Sequence, residues 1–489
     1  MRLFAMAALT LAAVATTGCS KDDEQAESTG KVVVSTTTVS LADGNKALNS
    51  QGEKTFNTGD EVAVVYENTS GTLVKATVTL AEADISNGGK TASLTVSMTA
   101  PQSNGTVKII YPAAMATAGG EVNYAALANQ DGKLTTIARS LDLALYEGSL
   151  NGTALPVIPT LDNPLAVCEF QIKNTTGSTD LTSSITMLYI ADGTNSYYLS
   201  GLSDLSSIWV VMKPVASSAT LTFHAAAGTT RYVKEISGKT LAAGNMYHVA
   251  VGTTQLKQGA LFGSFAVSPS DTVHFSQGNL KYSSGTWSFH TNQYDCIGSP
   301  QTTANMDLFY WGKNYGATND YVPTDDNTVN WGECNITNGG GANQWQTLTG
   351  GINGEWQYLF NNRSTTRSYA KATVADKCGV ILFPDVYTHP TDLTALQSVN
   401  IGNAAYNTNT FDAAAWAKME AAGAVFLPVA GSRVEGSSSL LTATSSDYWS
   451  STAYNSYQAY RVDLGSDGGV YPASFAMCSV GFSVRLVCE

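Results

Sequence analysis

Glu61-Val-Ala-Val-Val-Tyr66, Glu67-Asn-Thr-Ser-Gly71 and Thr72-Leu-Val-Lys-Ala-Thr-Val-Thr-Leu80 read in order as strand, turn and strand. The two runs are rich in β-branched residues, and the segment between them carries the Asn, Ser and Gly that a tight reversal needs. The same period of two extends from Lys31 to about Val251, with turn residues recurring every 8–12 positions or so. Lys31-Val-Val-Val-Ser35, Ile208-Trp-Val-Val-Met212 and Thr220-Leu-Thr-Phe223 are further instances. Helix-length periodicity is scarce in this half, so antiparallel β-sandwich is the predicted architecture.

Composition agrees. The chain has 489 residues, 43% apolar and 9% aromatic, enough to bury several cores. Charged residues make up only 13%, while Gly (44) and Tyr (23) are abundant. That profile excludes coiled coil, helical repeats and charge-rich disorder. A net charge of −13 leaves no basic stripe to neutralise phosphates, so nucleic acid is excluded as a partner. Five scattered His and seven Cys show no CxxC or HxxxH spacing, so neither a metal site nor a cofactor is expected.

Residues 1–18 carry Arg2, an apolar run from Leu3 to Val14 and small residues before Cys19. The run is too short to anchor in a bilayer. The Gly18-Cys19 junction resembles a bacterial lipoprotein signal, which implies acylation of Cys19. Ser20-Lys21-Asp22-Asp23-Glu24 resembles the acidic export tag of lipoproteins on certain Gram-negative anaerobes. Residues 19–30 are then a solvated tether, and the expected location is the outward face of the outer membrane. The remaining six cysteines (168, 296, 334, 378, 478 and 488) would allow three bridges in fifteen pairings in an oxidising envelope, but the anaerobic habitat that this resemblance implies favours free, buried thiols.

Phe56-Asn-Thr-Gly-Asp-Glu-Val-Ala-Val-Val-Tyr66 and Gly238-Lys-Thr-Leu-Ala-Ala-Gly-Asn-Met-Tyr-His-Val-Ala-Val251 resemble segments of the fimbrillin-like surface lipoproteins. That resemblance implies two successive β-sandwich lobes, 31–158 and 159–252, with a polar linker at 253–261. It also implies pilin subunits as partners. Such pilins are trimmed after an early Arg, and no Arg occurs here between Arg2 and Arg139.

From Phe262 the character changes, with six of the eight Trp lying between Trp311 and Trp449 among long Asn- and Gly-rich loops. Two short helices are predicted, Glu355–Arg363 with Trp356, Leu359 and Phe360 on one face, and Asp412–Ala422, capped by Asp412 and stopped by Gly423. Buried strands are expected at Gly379–Phe383 and Ala424–Pro428. Val273-His-Phe-Ser-Gln-Gly-Asn-Leu280, Phe309-Tyr-Trp-Gly312, Tyr448-Trp-Ser-Ser-Thr452 and Gly481-Phe-Ser-Val-Arg-Leu-Val487 resemble a bacterial branch of the C-type lectin fold. Formylglycine-generating enzymes and retroelement-diversified binding proteins share it. The overall expectation is a mostly β chain, two sandwich lobes followed by an α+β lectin-like domain at 262–489.

In the diversified members, the final stretch is rewritten by error-prone copying opposite adenines. Such rewriting cannot produce Lys, Glu, Gln, Met or Trp. No Lys or Glu occurs from Gly436 to Cys488, and between Ala453 and Ser479 only Gln458 and Met477 fall outside the reachable set. The alternative is a polar loop of an ordinary lectin-like domain. The resemblance places a variable ligand surface at about 447–485. Its candidate contact residues are Tyr454, Asn455, Ser456, Tyr457, Tyr460, Arg461, Asp463, Ser466, Asp467, Tyr471, Ser474, Phe475 and Ser479. Trp449, Ser450, Ser451, Val462, Gly469, Val470, Phe482, Val484 and Leu486 would be framework, and Cys478 a product of variation. Tyr and Arg give rigid contact area and Ser and Asn adaptable hydrogen bonding, which suits an extracellular protein or a glycan.

Other chemistry finds little support. Trp449-Ser450-Ser451 lacks the Asn-Asp pair of calcium-dependent lectins, and Asp325-Asp326-Asn327 lacks the Gly and Glu of a calcium loop. Cys478 and Cys488 have no basic activator beside them, against an enzyme of the formylglycine-generating kind. His274 and His389 sit among apolar or Pro neighbours and read as packing. Asp271-Thr272-Val273 resembles an O-glycosylation site. The expected protein is a non-enzymatic surface adhesin that caps a fibre or stands alone; a structural surface protein without a ligand is the alternative.

Overall fold

The computed structural model describes residues 31–41, 54–442, 446–465 and 469–489. Cys19, the signal segment and the acidic tether therefore lie outside the described residues, as do Ser466 and Asp467. The fold is the expected mostly β one, with two sandwich lobes followed by an α+β domain.

In the first lobe, the strands Val32–Ser40, Thr91–Thr99 and Ile85–Ser86 form one sheet. Leu73–Thr79, Glu61–Glu67, Thr106–Tyr111 and Ala144–Ser149 form the other. Alternate side chains of both meet in one core, with Val39, Leu94, Val96 and Met98 against Val62, Val64, Val107 and Ile109. The turn after Glu67 forms as expected. Asn68 Oδ1 accepts from the Ser70 and Thr72 amides at 3.1 and 3.0 Å, and Gly71 takes a left-handed φ of +76°.

Glu61–Glu67 is buried on both faces. Ala63 and Val65 point away from the first core into the second, where they meet Ile110, Met115, Leu127, Ile137 and Leu143. The stretch 113–143 thus precedes the expected lobe division at 158 yet packs into the second core. Strand Asn129–Gln130 even pairs parallel with Ser196–Ser200 of the second lobe. Sequence periodicity marks a strand but does not say how many of its faces are covered.

The second lobe follows the order Ile208–Met212, Ala166–Asn174, Met246–Gln255, Thr230–Ser237, Thr220–Ala227, Met187–Ala191, Ser196–Ser200 and Asn129–Gln130. Antiparallel pairing dominates, but Met246–Gln255 runs parallel to Ala166–Asn174. The long chain path between those two strands permits that crossover.

The predicted linker at 253–261 is not a free connector. Thr253–Gln255 complete a strand, the Leu256 amide donates to the Arg231 carbonyl at 2.9 Å, and Ala260 and Leu261 are buried in cores of the following domain. Its polar composition reflects the exposed Thr254 and Gln255 at the strand's end and the exposed Lys257 and Gln258 in the turn that follows.

In the C-terminal domain, Thr272–Phe275 pairs with Leu486–Cys488 in a four-stranded sheet, so the domain's first and last segments lie side by side. A second sheet joins Thr410–Phe411, Tyr369–Val374, Lys377–Leu382 and Val425–Pro428. Both predicted helices form. Glu355–Asn361 buries Trp356, Leu359 and Phe360, and ends before Arg363, whose side chain turns back to the Leu359 carbonyl. Ala413–Ala421 is capped by Asp412 Oδ1, which accepts from the Ala415 amide at 2.7 Å, and is followed by Gly423 at φ +97°.

All six cysteines of the described residues are free. Cys168, Cys334, Cys478 and Cys488 are buried, but Cys296 is only half-buried and Cys378 is exposed, against expectation. Cys378 follows the Ala375-Asp376 reversal, where a hairpin leaves the sheet and faces solvent.

The second lobe and the C-terminal domain are tied together by side chains. Tyr189 OH donates to the Thr388 carbonyl at 2.8 Å, and His224 Nδ1 to the Ala421 carbonyl at 2.7 Å. Arg231 pairs with Glu420 at 3.2 Å, and the His224 ring stacks on Phe262 at 4.9 Å.

Candidate ligand-binding surface

The candidate residues converge on a three-stranded antiparallel sheet, Ser446–Asn455, Gln458–Leu464 and Tyr471–Met477. Its base is clamped on both sides. Tyr448, Trp449, Val462 and Leu464 are fully buried. Tyr448 OH donates to the Pro428 carbonyl at 2.9 Å, and Trp449 Nε1 to the Phe309 carbonyl at 2.7 Å. Register shifts between Trp449 and Ala453, and between Arg461 and Asp463, re-aim the strands beyond that base.

Past the shifts, the outer face carries aromatic rings. Tyr454 lies flat on Phe475, with centroids 4.1 Å apart and planes 2° off parallel, and meets Tyr460 edge-on at 5.3 Å. Tyr460 and Phe475 are cross-strand partners, which puts them on one face. Tyr454, Tyr457, Tyr471 and Phe475 are 46%, 57%, 47% and 42% exposed. The opposite face of the same strands presents Ala459, fully buried, and the half-buried Ala453 and Ala476, all three against the core. The sheet is therefore inert on one side and displayed on the other.

The polar candidates behave differently. Ser456 is exposed in the turn after Asn455, and Asn455 itself is half-buried. Asn455 Oδ1 accepts from the Tyr457 amide at 3.0 Å and its Nδ2 donates to Gln458 at 2.7 Å, so it shapes the turn. Arg461 is held by Asp447 and by Asp463, the latter at 3.0 Å, and its guanidinium lies over the Phe482 ring. Burial holds its pKa below the ordinary arginine value. Arg461 and Asp463 thus spend their charges on each other and on Asp447. Ser474 and Ser479 are half-buried. Among the framework positions, Trp449, Ser450, Ser451, Val462, Phe482, Val484 and Leu486 are buried, and Val470 is half-buried.

Two surface residues escape the sequence reading. Met477 pairs with Gln458 at the sheet's end and is 46% exposed. Ile352 is 79% exposed at the tip of Gly350-Gly351-Ile352-Asn353-Gly354. That loop packs directly on the aromatic face. A Cβ on Gly350 would come within 2.4 Å of Tyr460 Cβ, and one on Gly351 within 3.2 Å of the Tyr460 ring. A lone aliphatic residue flanked by glycines was the available signal.

Asp325, Asp326 and Asn327 form an exposed loop, and the Asn327 carbonyl accepts from the Ala453 amide at 2.9 Å. Among the described residues, no cluster of three His, Cys, Asp or Glu is arranged to hold a metal. His274 Nδ1 donates to the Leu261 carbonyl at 3.1 Å, and His389 Nε2 to the Thr394 carbonyl at 2.9 Å. Burial lowers the pKa of both. Thr272 is exposed.

No protein-family model matches the chain, and no curated protein does. Solved structures with some likeness include a fimbrial assembly protein from Parabacteroides distasonis, 11% identical, covering 50% of this chain and 94% of that one, with a TM-score of 0.25. Another is the tip fimbrial protein Mfa3 from Porphyromonas gingivalis with C-terminal truncation, 11% identical, covering 42% of this chain and 81% of that one, with a TM-score of 0.21. A likeness this slight carries no argument about function.

Proposed function

We propose that the chain is a surface adhesin whose C-terminal domain binds an extracellular protein or glycan through the aromatic face of the 446–477 sheet. The observation that carries this reading is the stacked Tyr454–Phe475 pair with Tyr460, Tyr457 and Met477, displayed on strands whose opposite face is closed by core. Exposed rings on a pre-ordered support gain contact area on binding at little entropic cost. Cys19 is the lipid anchor in this reading, holding the protein at the outer membrane with pilin subunits as further partners. The alternation of buried and displayed positions also suits retroelement diversification, since side chains can change at Tyr454, Tyr457, Tyr471 and Phe475 while the base keeps its packing. A nearby reverse transcriptase with a near-copy of this gene end, differing only opposite adenines, would test that part.

The protein acts without catalysis in this reading. Burial pushes the Cys478 and Cys488 thiols up to about 11, so neither is a thiolate at neutral pH. Tyr454→Ala and Phe475→Ala should each cost about 1–3 kcal/mol in binding to cells or glycan arrays and leave the melting temperature unchanged. Undiminished adhesion by the double variant, with its fold intact, would refute the assignment.

A further inference from the structure

A pair of side chains in the first lobe, far from the ligand surface in sequence, points to a covalent step. Lys54 and Asp142 are among the few charged residues sealed in this molecule, with side chains 5% and 0% exposed. Lys54 Nζ stands 2.9 Å from Asp142 Oδ2, and also contacts the Asp142 carbonyl. Aromatic rings shield the pair, with Nζ 5.0 Å from the Tyr111 ring centre and Tyr111 itself against Phe56 at 4.8 Å. The two carboxylate oxygens differ. Oδ1 accepts from Asn163 Nδ2 at 2.8 Å, whereas the buried Oδ2 is held by the Lys54 ammonium and by no other donor among the described residues.

We propose that Lys54 and Asp142 condense within the folded lobe to form an intramolecular amide. The reaction balances without any co-reactant. A proton passes from the Lys54 ammonium to the Asp142 carboxylate, giving a neutral amine and a neutral acid. The nitrogen lone pair attacks Asp142 Cγ and the C–N bond forms. The Cγ–Oδ2 bond breaks, and Oδ2 leaves with two protons as water, while Oδ1 remains as the amide oxygen on Asn163.

Each feature of the site favours that course. Burial lowers the Lys54 pKa, which makes the neutral amine accessible. A charge pair in an apolar enclosure is expensive to keep, and a neutral amide removes that penalty. The oxygen that departs is the one paired with Lys54 itself, a contact that the new C–N bond replaces, while the Asn163 bond to Oδ1 is kept. Asp60 is a second carboxylate whose charge acts on Lys54, and it accepts from Tyr111 OH at 2.6 Å. Holding amine and acid in contact replaces an intermolecular collision by an intramolecular one. The link would span 88 residues of sequence. It would fasten the segment entering the first core at Phe56 to Leu141–Leu143, which lie in the second, joining the two lobes at their seam.

Digestion of the purified, folded full chain with trypsin and mass measurement of the peptides tests this. The expected result is one branched species joining the peptides that contain Lys54 and Asp142, lighter than their sum by one water, with no cleavage after Lys54. A Lys54→Met variant should yield the Asp142 peptide alone. Recovery of both wild-type peptides unlinked, at full mass and with cleavage after Lys54, would overturn the proposal. So would a branched species that persists in Lys54→Met. Neither readout depends on what the aromatic face binds.

Discussion

Arg433 shows how a single residue can carry a domain's interior. It has no exposed surface, and its guanidinium lies 4.1 Å from the Tyr310 ring centre. Nε donates to the Leu308 carbonyl at 2.8 Å, and Nη2 to the Gly316 and Thr318 carbonyls at 3.2 and 3.0 Å. A planar fork over a ring, feeding three carbonyls of a loop, is geometry that lysine cannot copy. Arg433→Met should destabilise the protein by about 2–4 kcal/mol in urea titration, since buried carbonyls lose their donors, and Arg433→Lys should rescue little of it. Nothing in Gly431-Ser-Arg-Val-Glu-Gly436 distinguishes this arginine from a surface one. The same blindness hid Lys54 and Asp142, because charge pairing across 88 positions leaves no local mark. The tyrosines were legible as a group, but the internal neutralisation of Arg461 by Asp447 and Asp463 was not, since it depends on strand register.

At the level of elements, what sequence reveals is what local physics decides. The Asp412 cap, the Gly423 stop and the Trp356–Leu359–Phe360 stripe each act within one or two turns, and each was readable. Asp412→Ala should lower stability by about 1 kcal/mol by leaving the Ala415 amide unsatisfied, measurable as a fall in the chemical-denaturation midpoint. The two-sided burial of Glu61–Glu67 was unreadable, because the second cover comes from a distant stretch of chain. Ile352 belongs here too, since a glycine loop displays it only because Gly350 and Gly351 let the backbone touch Tyr460.

Across the whole molecule, the seam between second lobe and C-terminal domain is acid-sensitive. His224 sits within it, stacked between Phe262 and Tyr189, and burial brings its pKa down to about 4. The folded chain therefore refuses a proton that the unfolded chain accepts near pH 6.5. Stability is complete above that value, declines as pH falls towards 4, and levels off below, a loss of up to about 3 kcal/mol from this residue. His274 and His389, whose pKa values burial also lowers, act in the same sense. A cavity of about 540 Å³ lined by His224, His274, Lys234, Glu235 and Asp385 opens on the seam. Thermal melts at pH 7 and pH 4.5 should show a large acid penalty for the wild type and a smaller one for His224→Asn, whose amide can still donate to the Ala421 carbonyl.

The pairing of Thr272–Phe275 with Leu486–Cys488 has an architectural consequence. A unit whose entry and exit are stitched to each other tolerates change within. Loops between those two segments can be enlarged or exchanged without rerouting the chain that supports them, so long as Thr388, Glu420 and Ala421 keep their hold on the second lobe.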